Sequence, residues 1–207
     1  MRIRSTIVPA VLAVVVCAAG PGVKPARALD LFEFGRGFDI ETIETSDARA
    51  GVADAGTLRI QTGHAAPWPG VTLKAPQGRW DLSTYEYIAF NVANRGDTRI
   101  TVNCRVDNPG ADGTNHCVTE NVAVDPGKSG TLTVRVFPVP WKLDAPLELV
   151  GMRANPVHAG KLDTANVTQL VIFVNHPSEN HVIEIGAIRA GGRVQVLDAS
   201  TFLPFID

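Results

Sequence analysis

The residues best suited to chemistry in this chain are polar ones spaced two apart within aliphatic runs. Ile100, Val102, Cys104 and Val106 alternate with Thr101, Asn103, Arg105 and Asp107. A period of two sends one set into a core and turns the other toward solvent or a ligand. Asn91 in the preceding run, and Arg135 beside Leu132, Val134 and Val136, fall on the polar parity of their own segments. Placed on neighbouring strands, Asn91, Asn103, Arg105, Asp107 and Arg135 supply the amide, guanidinium and carboxylate groups that hold sugar hydroxyls. Trp68 and Trp141 would edge such a face and offer flat rings to sugar C–H groups. A second reading stays open, in which Arg105 and Asp107 pair with each other and fix the loop that follows.

Other chemistries find less support. Glycosidases need two carboxyl groups flanking one bond, and none of the 21 acidic residues sits in a recognisable motif. Neither a Gly-x-Ser-x-Gly elbow nor a His-Glu-x-x-His zinc signature occurs. His64, His116, His158 and His176 lie in turn-rich segments and read as solvated, while His181 begins a strand pattern. A jelly-roll polysaccharide lyase would pair a Tyr or His acid/base with Arg and Asn. Asn103 and Arg105 meet the second need, but Tyr85 and Tyr87 follow Trp80-Asp81-Leu82-Ser83, a strand entrance where Trp80 reads as core. A structural calcium joining the first and last strands would draw oxygen ligands from Glu33, Glu44 and Glu184, with Asp47 nearby, although these form no contiguous loop motif.

Cys104 and Cys117 bracket a polar loop whose Asn108-Pro109-Gly110 and Asp112-Gly113 are turn chemistry. In an exported protein this even pair is expected to form a disulfide. Closing a loop of about 14 residues would contribute about 3 kcal/mol in the chain-entropy model. A thiolate metal site would need further ligands at spacing, and His116 alone does not supply them. Export itself is expected from the N-terminus. Arg2 and Arg4 precede an apolar run from Ile7 to Ala19, and Ala26-Arg27-Ala28 has the form of a cleavage site. Residues 1–28 therefore read as a signal peptide, the run being too short for a membrane span. The whole chain carries a net charge of −2, and its leader holds four basic residues and no acidic ones. What remains is acidic, without the footprint of a nucleic-acid binder or of a partner for anionic membranes.

The elements that must position these residues are short and mostly of period two. They run Leu31–Phe34, Ile40–Thr45, Thr57–Thr62, Gly70–Ala75, Tyr85–Ala93, Thr98–Val106, Val118–Val124, Thr131–Phe137, Val167–Asn175 and His181–Arg189. Helical spacing is sustained nowhere, so the pattern predicts an all-β, antiparallel sandwich of jelly-roll, galactose-binding-like type. Val167–Asn175 is apolar on both parities and is expected to be central and covered. Asn94-Arg95-Gly96-Asp97 and Asp125-Pro126-Gly127 read as hairpin-like turns, and Arg193 to Leu197 as one more strand. The expected layout is leader 1–28, sandwich 29–192, and a terminal strand and tail 193–207.

Trp80-Asp81-Leu82-Ser83, the run from Cys104 to Gly113, Gly151-Met152-Arg153, Gln169 to Val174 and the tail Phe202 to Asp207 together resemble a known module. It is similar to the N-terminal carbohydrate-binding-like β-sandwich of exo-β-agarases and related agarase-like glycoside hydrolases, over nearly all of residues 30–207. The resemblance implies an accessory module that recognises agar-type galactan, or that docks beside a catalytic domain as a purely structural unit. In that family such a tail leads into a (β/α)-barrel holding two catalytic Glu residues, which this chain does not reach; no enzymatic activity is expected of it. Arg153 would then meet sugar or brace that barrel. Related sandwiches carry Asp-Asn in the last long strand where this chain reads Ile185-Gly186-Ala187-Ile188, so the resemblance supplies no aspartate for calcium there.

Overall fold

A computed structural model describes residues 28–53, 55–137, 141–143 and 162–197. The strands are β1 (Leu29–Phe32), β2 (Ile43–Ser46), β3 (Ala48–Ala53), β4 (Thr57–Thr62), β5 (Gly70–Lys74), β6 (Tyr87–Asn94) and β7 (Ile100–Asp107). They continue with β8 (Cys117–Val124), β9 (Ser129–Arg135), β10 (Trp141–Leu143), β11 (Gln169–Val174), β12 (His181–Ile185), β13 (Ile188–Gly191) and β14 (Gln195–Leu197). One 3-10 turn, Ile40–Thr42, precedes β2 and is capped by the Asp39 side chain, which accepts from the backbone N–H of Glu41.

Two antiparallel sheets make the sandwich. A seven-stranded sheet runs β1-β13-β6-β12-β4-β3, with β9 on the free side of β6. A five-stranded sheet runs β2-β5-β11-β7-β8, and β10 pairs with β14 as a short parallel ribbon. Alternation decides the packing. Leu58, Ile60, Ile88, Val92, Leu132, Val134, Ile183 and Ile185 from one sheet share a single core with Leu73, Val102, Cys104, Val106, Leu170 and Ile172 from the other. Phe32, Phe34, Phe38 and Trp80 close one part of it with edge-on and stacked rings, Trp80 standing 5.5 Å from Phe32.

The fold is thus the expected all-β antiparallel sandwich, with differences in detail, among them the unexpected edge strand β3. The run His181–Arg189 is two strands, because the chain breaks at Gly186, whose N–H bonds the Asn91 carbonyl at 3.0 Å. β12 and β13 therefore pair with different halves of β6. The segments after Asn94 and after Asp125 are not hairpin turns within a sheet. They are corners where the chain crosses from β6 to β7 and from β8 to β9, each pair split between the two sheets. Asn94, fully buried, fixes the first corner: its amide donates to the carbonyls of Thr98 and Val124 and accepts from the N–H of Gly96.

Candidate functional site

β11 is the central strand of the five-stranded sheet, as its sequence suggests, but it is not covered on both sides. Leu170, Ile172 and Val174 enter the core, whereas Gln169, Val171 and Phe173 turn outward and stay partly exposed. Register brings specific neighbours beside them. Phe173 lies between Gly70 of β5 and Asn103 of β7, with Asn121 of β8 one strand further. Val171 lies between Thr72 and Arg105, and beyond these stand Glu44 and Thr119. The Asn103 amide donates to the Phe173 carbonyl at 3.4 Å.

The β5–β11 pairing continues past the end of β5. Val174 N–H bonds the Pro69 carbonyl at 3.1 Å, and His176 N–H bonds the Pro67 carbonyl at 2.7 Å. That register places Trp68 opposite Asn175, on the same outward side as Phe173. The indole N–H donates to the Asn175 side-chain oxygen at 3.1 Å, and the His176 ring meets it edge-on at 5.6 Å. Trp68 is nevertheless 59 % exposed, more than any other large apolar side chain among the described residues. Between the two aromatics Gly70 keeps the face flat. A Cβ there would come within 2.1 Å of the Ile172 carbonyl oxygen, so no side chain is admitted. The result is an aromatic surface rimmed by side-chain amides.

The candidate residues divide between opposite faces. Asn103 and Arg105 do lie on the non-core side, on this outer face. Asn91 and Arg135 are also outward and exposed, but they belong to β6 and β9 of the other sheet, where Asn91 accepts from Thr131 Oγ1 at 3.0 Å. One polar patch of all five residues is therefore ruled out, because the corner at Asn94 sends β7 to the opposite layer. Asp107 is fully buried, so it supports the face without reaching a ligand. It accepts Nε and Nη2 of Arg105 at 2.7 and 2.9 Å and Nε2 of Gln169 at 2.8 Å. Trp141 is described only as backbone, in β10, and Arg153 lies outside the described residues. Phe173 went unrecognised because an outward aromatic on a central strand has the same sequence signature as a buried one.

The expected Cys104–Cys117 bond does not form; both are free and buried thiols. Cys117 sits opposite Asp107 and Cys104 opposite Glu120, three steps apart on the ladder and on opposite faces of the ribbon. Three steps are roughly 10 Å, beyond the roughly 7 Å that a disulfide tolerates between Cα atoms. Burial, and then the Asp107 charge, push the Cys104 thiol far above the ordinary range. The same causes raise Cys117, with Arg105 opposing them. The loop is held instead by Asp112, which accepts from the N–H groups of Thr114 and Asn115 and from the Asn115 amide.

The proposed calcium donors do not fit an ion either. Glu184 lies between Arg59 (3.0 Å) and Arg95 (2.8 Å), Glu44 pairs with Lys74, and Glu33 meets Arg189 at 3.7 Å. Cross-strand pairing thus neutralises each carboxylate separately, and Glu44 is in the other sheet from Glu184. Among the described residues no group of three or more His, Cys, Asp or Glu is placed to hold a metal.

No protein-family model and no curated protein matches the chain. Several solved structures do. The agarase AgWH50C matches with a TM-score of 0.57 at 15% identity, over 82% of this chain and 25% of its own. An exo-β-agarase matches with a TM-score of 0.57 at 17% identity, over 84% and 26%. PfGH50B follows with a TM-score of 0.54 at 18% identity, over 74% and 22%. The chain spans about a quarter of the length of the agarase structures it matches. At these identities the likeness concerns the fold, which is a β-sandwich shared with agarases.

Proposed function

We propose that this chain is an exported, non-catalytic carbohydrate-binding module that receives a polysaccharide on the outer face of its five-stranded sheet. Agar-type galactan is the first candidate ligand, and a glycoside hydrolase catalytic domain the natural partner, because the structures sharing its fold are agarases. One observation carries the reading: Trp68 and Phe173 are outward on the same face, beside the amides of Asn103, Asn121 and Asn175 and the hydroxyls of Thr72 and Thr119. Flat apolar rings beside paired donors and acceptors suit a ligand with C–H faces and hydroxyl edges. Asn175 and His176 hold the exposed Trp68 ring in place.

Affinity electrophoresis in agarose and in several other polysaccharide gels tests this. The chain should be retarded in agarose, Trp68→Ala and Phe173→Ala should each lose most of the retardation, and Arg135→Ala should keep it. No retardation in any gel would overturn the proposal. Release of reducing sugar, or of unsaturated ends absorbing in the ultraviolet, would overturn its non-catalytic part. A purely structural module is the second reading, favoured by the small residues Ala89, Ala93 and Gly186 on the outer face of the seven-stranded sheet. Arg189, Glu184, Thr131 and Thr133 stand beside them, so a catalytic domain docked there would meet a mixed polar surface and leave the aromatic face free.

A further inference from the structure

The seven-stranded sheet carries a second opening, different in chemistry from the aromatic face. It lies where β3 begins and β4 ends, beside the segment leading into β12, and forms a cleft of about 490 Å³ lined by Asp47, Arg49, Gln61, His64 and Asn180 among others. That volume falls within the roughly 300–1,000 Å³ typical of small-molecule sites. Its walls are fixed. Asp47 holds a left-handed backbone with φ of 42°. Its carboxylate accepts the N–H groups of Ala65 and Ala66 at 2.8 and 2.9 Å, and its carbonyl accepts that of Gly63 at 2.6 Å. A Cβ at Gly63 would stand 2.1 Å from Asp47 Oδ1, so a side chain there would displace the Asp47 carboxylate. The one negative charge of the cleft is thereby engaged by the loop's own amides.

The remaining groups are unspent. His64 Nδ1 lies 2.7 Å from Asn180 Oδ1. An amide oxygen only accepts, so Nδ1–H donates, which leaves the His64 Nε2 and the Asn180 amide group to a ligand. Arg49 pairs across the ladder with Gln61, and both are exposed. Arg59 on the same face is neutralised by Glu184, whereas the Arg49 guanidinium has no hydrogen-bond or ion-pair partner among the described residues. A rigid polar cleft with one unpaired guanidinium, two amides and an imidazole offers an anion contact flanked by hydroxyl contacts.

We propose that this cleft is a second sugar site, which takes a glycan residue bearing an anionic substituent, a carboxylate or a sulfate ester. Arg49 meets the anion, and Gln61, His64 and Asn180 meet hydroxyls. The site is independent of the aromatic face. Nitrogen-15 NMR titration of the whole chain with D-galacturonate, D-galactose 6-sulfate, neutral D-galactose and inorganic sulfate, at matched ionic strength, tests it. At least one of the two anionic sugars should shift the backbone amides of Arg49, Gln61, His64 and Asn180, with neutral galactose binding about tenfold or more weakly. Arg49→Ala, on an exposed strand, should weaken the anionic sugar by roughly tenfold, and Trp68→Ala should leave it unchanged. Inorganic sulfate binding as tightly as the sugars would reduce the cleft to an anion site and overturn the proposal. So would unshifted amides with every probe, or an unaltered affinity in Arg49→Ala. Gel retardation through Trp68 and Phe173 reads the aromatic face separately, so either site can fail without the other.

Discussion

Arg105 shows how a residue can look like a ligand contact and serve as a brace. Its guanidinium forks onto Asp107, whose carboxylate has no exposed surface. Removing one partner of such a pair strands a buried charge, so Arg105→Ala should lower stability by about 3–5 kcal/mol in urea denaturation. Replacing both partners, as Arg105→Met with Asp107→Leu, should restore much of that loss, because two charges then no longer need desolvation. A single substitution within about 0.5 kcal/mol of the parent would show that Gln169 alone satisfies Asp107. The thiols give a second expectation at this scale. Iodoacetamide should leave Cys104 and Cys117 unmodified in the folded chain and label both after unfolding without reductant, since burial withholds the thiolate. A Cys104–Cys117 cross-linked peptide in an unreduced digest would contradict the register. Asp112 is the converse case, an exposed carboxyl held at about 2, below its ordinary 3.8, by hydrogen bonds from Asn115 and Thr114. A depressed value means the carboxylate supports the loop at any pH above its ordinary range, with that support lost as pH falls from near 4 through about 2. Carbon-13 titration of the Asp112 carboxyl should give a midpoint of about 2, and Asn115→Ala should move it upward.

Elements explain why part of the site was legible in the sequence and part was not. The period of two was enough to place Val102, Cys104 and Val106 inside and Asn103 and Arg105 outside, because alternation is local. Which sheet a strand joins is not local. Asn94-Arg95-Gly96-Asp97 has hairpin composition, yet it turns a corner, since Asn94 reaches across to Val124 in the other sheet. The two crossings, after Asn94 and after Asp125, separate Asn91 and Arg135 from Asn103 and Arg105. β3 was missed for a different reason. Ala48-Arg49-Ala50-Gly51-Val52-Ala53 offers one β-branched residue in six, and it forms a strand because an edge position beside β4 needs little apolar burial. The Asp47–Ala65 and Asp47–Ala66 bonds that shape the neighbouring cleft carry no sequence signature, being set by a fold in which residues 47 and 65 meet. Gly70 is an element-level device that the sequence does not announce, because its close approach to β11 exists only in the fold. Gly70→Ala should destabilise by roughly 1–3 kcal/mol, because the β5–β11 backbones approach too closely for a methyl group. It should also spoil retention in agarose gels out of proportion to that loss, by spreading the surface between Trp68 and Phe173.

At the scale of the whole molecule, one strand divides two tasks between adjacent residues. Ile172 is 1 % exposed and belongs to the shared core, while Phe173, the next residue, faces outward. β11 is central, paired on both sides along most of its length, so the platform rides on the least yielding part of the sheet. If the face binds as proposed, a long polysaccharide would meet it without waiting for it to order, which spares the entropic cost of assembling a loop site. Stability and binding should therefore come apart at neighbouring positions. Ile172→Ala should lower the free energy of unfolding by about 2–5 kcal/mol while leaving polysaccharide retention intact at temperatures where the chain stays folded. Phe173→Ala, which loses an outward and partly solvated ring, should shift the urea midpoint far less and abolish most of the retention. The reverse pattern, with Phe173→Ala as destabilising as Ile172→Ala and retention untouched, would make the five-stranded sheet a second packing surface. The sandwich would then have a covered layer on that side, and sugar recognition would fall to the cleft at Arg49.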